Sequence, residues 1–88
     1  MGYNAQVTIT ILLFASVAAA AGIRRLEMPI EPGDTVGSVR DRLVACRPEL
    51  APFVPNLMYA LDEEYVKDAD PVRGGATLAL IPPVSGGC

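Results

Sequence analysis

The chain contains no histidine. That removes the commonest metal ligand and the commonest general base near neutral pH. It also leaves Ser85 without an imidazole to activate its hydroxyl, which excludes a serine hydrolase. Positive charge is scarce: seven Lys and Arg stand against ten Asp and Glu, a net charge of −3. Without a basic field, neither nucleic acid nor an anionic membrane surface is an expected partner. Cysteine is nearly absent too. Cys46 and Cys88 are the only two, too few for a disulfide framework, and a reducing cytoplasm is the expected compartment. The longest apolar run, Ile9 to Ala21, falls short of the roughly 20 residues that span a bilayer. No Lys or Arg lies between Met1 and Thr10, so the positive flank of a signal peptide is missing. There are no internal repeats and no low-complexity blocks.

What is present is an ordinary globular composition, 51% hydrophobic and 19% charged over 88 residues, which argues against disorder. That length makes one domain, able to bury roughly 60–65% of its unfolded surface in a single core.

Residues 6–14 alternate as a first strand. Val7, Ile9, Ile11 and Leu13 form the expected core set, with Leu12 and Phe14 on the opposite face. Ala15 to Ala21 is an alanine-rich short helix stopped by Gly22. Residues 24–30 alternate again, with Leu26, Met28 and Ile30 inward, and Pro29 makes this an edge strand. Glu31-Pro32-Gly33-Asp34 is turn chemistry. Asp34 or Thr35 then caps a helix that runs through Arg47 to Pro48, and Val36, Val39, Leu43 and Cys46 form one buried stripe along it. Residues 48–55 read as an irregular link with Phe53 inward. Residues 57–61 and 64–67 are short strands around an acidic turn, residues 71–75 turn the chain, and residues 76–81 are a last strand. One main helix across a mixed sheet in this order is an α+β, ubiquitin-like β-grasp roll, expected over residues 1–82 with a tail over residues 83–88.

The body offers little chemistry. Asp62, Glu63, Glu64, Asp68 and Asp70 are offset only by Lys67. They lack the alternating ligands and central glycine of a calcium loop, so a solvated acidic hairpin suited to a basic partner surface is expected and no metal site. Gly74-Gly75 precedes a strand and not a helix, which speaks against a phosphate loop. Cys46 reads as a small buried hydrophobe. No cofactor is expected to bind.

The tail is different. Pro82-Pro83 ends the last strand, and Val84-Ser85-Gly86-Gly87-Cys88 follows. Two glycines let the backbone take whatever angles a narrow tunnel requires and leave the carbonyl carbon unshielded. A Gly-Gly carboxylate on such a tail can be adenylated in a partner enzyme. Sulfur then gives a thiocarboxylate, and an amine gives a conjugate. Cys88 masks that carboxylate in the chain as written.

From Tyr65 to Gly87, and above all in Leu80-Ile81-Pro82-Pro83-Val84-Ser85-Gly86-Gly87, the sequence resembles the small subunit of molybdopterin synthase (the MoaD family). Leu12 to Val17 is similar to that family's first strand and turn. The resemblance implies a sulfur carrier that is not an enzyme by itself. It implies Gly87 as the sulfur-bearing residue, Gly86 as its thin neighbour, and an E1-like adenylating enzyme that uses ATP. It implies the large synthase subunit as docking partner, meeting Leu12, Phe14, Tyr65, Ile81, Pro82, Pro83 and Val84, with sulfur delivered to cyclic pyranopterin monophosphate. Cys88 departs from the family pattern. It is expected either to be trimmed by a protease or to be an added residue, or else the chain is a relative that never carries sulfur. A carrier for cysteine, thiazole or another thiolated metabolite, and a ubiquitin-like modifier or binding module, are the rival readings.

Overall fold

The computed structural model describes residues 7–83. Thr8–Leu13 forms β1, in which Ile9, Ile11 and Leu13 are buried and the residues between them half-buried. Side chains alternate across a strand, so one row enters the core and the other stays on the open face. The chain turns into α1, Ala15–Ala21, which ends where Gly22 takes φ 77° and returns its N–H to the Ala18 carbonyl at 2.9 Å. A left-handed cap of this kind favours glycine. Arg25–Pro29, β2, runs back antiparallel to β1 at the sheet edge, as Pro29 predicts.

The main helix α2, Val36–Cys46, starts with a reciprocal cap. Ser38 N–H donates to Thr35 Oγ1 at 3.1 Å and Thr35 N–H to Ser38 Oγ at 2.8 Å. Its next free N–H groups, on Val36 and Gly37, donate to the Asp70 and Asp68 carbonyls, both at 2.9 Å. The segment at Asp68–Asp70 therefore closes the helix start, where four donors would otherwise lack partners. Val36, Val39 and Leu43 are essentially fully buried, each contributing roughly 1.5–3 kcal/mol through burial.

Three expectations are corrected. Cys46 is exposed. The chain leaves α2 at Arg47 and Pro48, and the next core residue is Leu50, 1% exposed. The link itself is a 3-10 helix, Pro48–Asn56, with Pro48 at its start and Pro52 and Pro55 within it; their fixed φ suits short 3-10 turns while their missing N–H disfavours an α-helix. Phe53 packs inward on the core as expected. Val7 is 50% exposed, since it precedes the ladder. Its carbonyl accepts from Ile30 N–H at 2.9 Å while its side chain lies over Gly74.

Met58–Leu61 (β3), Glu64–Val66 (β4) and Thr77–Ile81 (β5) complete a five-stranded sheet of order β2-β1-β5-β3-β4. β1 and β5 pair in parallel at its centre and the other pairs are antiparallel. The β3–β4 turn is Asp62-Glu63, both with positive φ, 50° and 73°, the twist a two-residue hairpin demands. Asp62 holds it to β5. Its N–H donates to the Thr77 carbonyl at 2.8 Å, and its carboxylate accepts from Thr77 N–H and from Arg73, both at 2.9 Å. Among the described residues no buried side-chain polar atom lacks a partner, and no helix is long and apolar enough to cross a membrane.

Candidate functional site

The α2-facing side of the sheet is filled. The other side carries a row that crosses every strand. Arg25 pairs with Leu12, Leu12 with Ala79, Ala79 with Ala60, and Ala60 with Tyr65. Strands lie about 4.8 Å apart, so Leu12 and Tyr65 stand roughly 14 Å from each other. The two alanines between them form a low floor.

A groove follows β5 down this face. Thr77, Ala79 and Ile81 form its floor, Leu12 and Phe14 one wall, and Ala60, Asp62 and Glu63 the other side. Phe14 is 44% and Tyr65 71% exposed, and Met58, beside Ile81, is 45% exposed. Large apolar side chains grouped in this way on one face mark an interaction surface. The expected residues Leu12, Phe14 and Ile81 thus share the groove, and Tyr65 stands on the same face two strands beyond β5. Pro82 is buried and Pro83 exposed. Val84, Gly86, Gly87 and Cys88 lie outside the described residues.

Ala60, Ala79 and Met58 were not singled out by sequence reasoning. The signal was there: each small residue sits between large ones, Tyr59 and Leu61 or Leu78 and Leu80, so the strand period puts it on the open face.

Behind the face, the sheet is pinned to α2. Arg40 donates to the Tyr59 hydroxyl at 3.2 Å and to Asp68 at 2.9 Å. The Tyr59 hydroxyl first, then the Asp68 and Asp41 carboxylates, push the Arg40 pKa further above the usual arginine value. Arg42 and Asp34 form a two-pronged ion pair, 2.9 Å at each prong. Arg42, the Glu31 N–H and the Ser38 hydroxyl hold the Asp34 carboxyl well below the usual carboxylate range. Among the described residues no group of acidic or cysteine side chains has the arrangement to hold a metal ion.

A central parallel β1–β5 pair, a main helix across one face and an open apolar groove define a ubiquitin-like β-grasp protein. The ThiS family model matches residues 11–87, and the chain belongs to that family, which embraces the sulfur carrier subunits of molybdopterin synthase. It is 36% identical over 84 residues to the molybdopterin synthase sulfur carrier subunit of Arabidopsis thaliana, covering 96% of this chain and 88% of that protein. It is 30% identical over 81 residues to the protein of the same name from Chlamydomonas reinhardtii, covering 90% of this chain and 98% of that one. In three dimensions it is similar to SAMP1 from Haloferax volcanii, with a TM-score of 0.83 at 30% identity over 91% of this chain and 99% of that one.

Proposed function

We propose that this chain is the sulfur-carrying subunit of a molybdopterin synthase, acting through the carbonyl of Gly87 and docking through its open sheet face. The observation that carries the reading is the groove along β5. It lies on the same strand that leads directly into Pro82-Pro83 and the Gly86-Gly87 pair. A partner seated on Leu12, Phe14 and Ile81 is therefore close to the root of the tail it would have to engage.

The chemistry belongs to the main chain. Hydrolysis of the Gly87–Cys88 peptide bond frees the Gly87 carboxylate. An E1-like partner joins that carboxylate to the AMP part of ATP, releasing pyrophosphate. A sulfur nucleophile then displaces AMP to leave a thiocarboxylate. Cys88 cannot replace this sequence, because its side chain offers a thiol and the activated group is an acyl carbon. The thiocarboxylate enters the large subunit, where its sulfur passes to cyclic pyranopterin monophosphate. The body contributes docking and presentation, and the partners contribute catalysis.

The test is the intact mass of the protein purified from its own source. A species lacking one cysteine residue and carrying one exchange of oxygen for sulfur is the expected result. A population that matches the full chain through Cys88, with no modified fraction, would sink the carrier reading. Deleting Gly87 and Cys88 should leave folding unchanged and abolish sulfur transfer.

A further inference from the structure

The arginines of this chain divide sharply. Arg40, Arg42, Arg47 and Arg73 each hold a carboxylate or a carbonyl of the body. Arg24 makes no side-chain hydrogen bond or ion pair among the described residues, and Arg25 reaches only Glu27, at 4.0 Å, with its side chain 66% exposed. The carboxylates divide in the same way. Among the described residues all accept a hydrogen bond or lie within ion-pair distance of a cation except Glu31, Glu63 and Glu64.

The unspent charges are not scattered evenly. Arg25 stands in the open-face row beside Leu12, and the Arg24 carbonyl accepts from Leu13 N–H at 2.9 Å. Both arginines share a hollow with Leu12 and Phe14, next to the end of β5 from which the tail departs. Glu63 lines the other end of the groove, at the β3–β4 turn. The two poles lie roughly 14–17 Å apart across the strands and about 7 Å apart along them. Lys67, the remaining cation, follows β4 on the far edge.

We infer that the docking face is charge-coded: Arg25, with Arg24 beside it, and Glu63 are the specificity-determining poles. Its occupant is a protein surface with apolar side chains over Leu12 and Phe14, an acidic side chain facing the arginines and a basic one facing Glu63. The inference rests on the carrier reading and deepens it, because it fixes the orientation in which the tail is delivered. Exposed charges at an interface rim contribute mainly to orientation and association rate. Opposite poles on one face give a reversed partner two like-charge contacts in place of two attractive ones.

The test is calorimetric titration of the full chain with the large molybdopterin synthase subunit from the same source, at low and at high salt. Arg25→Glu and Glu63→Lys should each weaken binding about fivefold to tenfold at low salt and flatten its salt dependence. Glu31→Lys, which reverses a carboxylate that makes no side-chain hydrogen bond among the described residues and lies away from the groove, should bind like the parent. Parent-like binding by both Arg25→Glu and Glu63→Lys, or an equal loss in Glu31→Lys, would overturn the inference and leave the carrier reading intact. Failure of the parent chain itself to bind would overturn the carrier reading, and this inference with it.

Discussion

Ala60 and Ala79 stand directly opposite each other on β3 and β5, and their methyl groups are all that separates Leu12 from Tyr65 across the open face. That juxtaposition makes the groove a groove. Replacing Ala79 with Ile should fill it. A β-branched residue suits a strand, so stability should stay within about 0.5 kcal/mol of the parent. Affinity for the large subunit should fall by at least about tenfold, as a calorimetric titration would show. Phe14→Asp should do the same from the wall of the groove. Unfolding of that variant would place Phe14 in the core instead.

Gly74 and Val7 give a second test. A Cβ at Gly74 would run into the Val7 side chain. Gly74→Ala should therefore cost about 1–2 kcal/mol in urea unfolding. Shortening the neighbour in the double variant Val7→Ala/Gly74→Ala should recover most of that loss, because the two positions are coupled by contact.

Ala15 begins α1 with φ 52°, a left-handed angle that costs an L-residue about 1 kcal/mol. Glycine takes the same angle freely. Ala15→Gly should raise stability by roughly 0.5–1 kcal/mol in thermal unfolding, against the usual trend for glycine near a helix.

The Asp34–Arg42 pair predicts an acid dependence. The folded state holds the Asp34 carboxyl, first through Arg42, well below its ordinary value of 3.8. Above that value both folded and unfolded chains are ionised there and the stabilisation is complete. As the pH falls below it, the unfolded chain takes up the proton first. Stability is lost until the folded carboxyl is protonated as well. Asp34→Asn should be less stable at neutral pH and should show a shallower loss between pH 4 and pH 2 in chemical unfolding. An unchanged slope would mean that other carboxylates carry the acid sensitivity.

The fold was legible because its signals were local. Alternation in β1, glycine at the end of α1, Pro29 on the edge strand and Thr35 before α2 each act within a few residues. Cys46 and Val7 were misplaced for a common reason. A period says which face a residue takes, and it does not say where the covering element stops. α2 gives way to Pro48–Asn56 just as the stripe reaches Cys46, and the ladder begins one residue after Val7. The irregular reading of residues 48–55 failed because prolines spaced by a few residues break an α-helix yet suit successive 3-10 turns. In the site, Leu12 and Phe14 were readable as large residues on the face opposite the core set, while Ile81 came only with the family resemblance. The strand period also puts Ala60 and Ala79 on that face, but they went unremarked because they matter by the side chain they lack. The two poles depend on which charges the body has already used, and only the folded contacts decide that.

The position of β5 has a consequence for synthesis. Among the described residues it follows the other four strands in the chain, and it lies between β1 and β3. Until it is made, β1 with β2 and β3 with β4 are two separate antiparallel pairs with no strand to join them. Pairing across almost the whole chain comes late and closes everything at once. A chain without β5 therefore lacks the assembled sheet. A chain that has not yet made β5 can offer partners no docking face, because the strand that closes the sheet is also the floor of the groove.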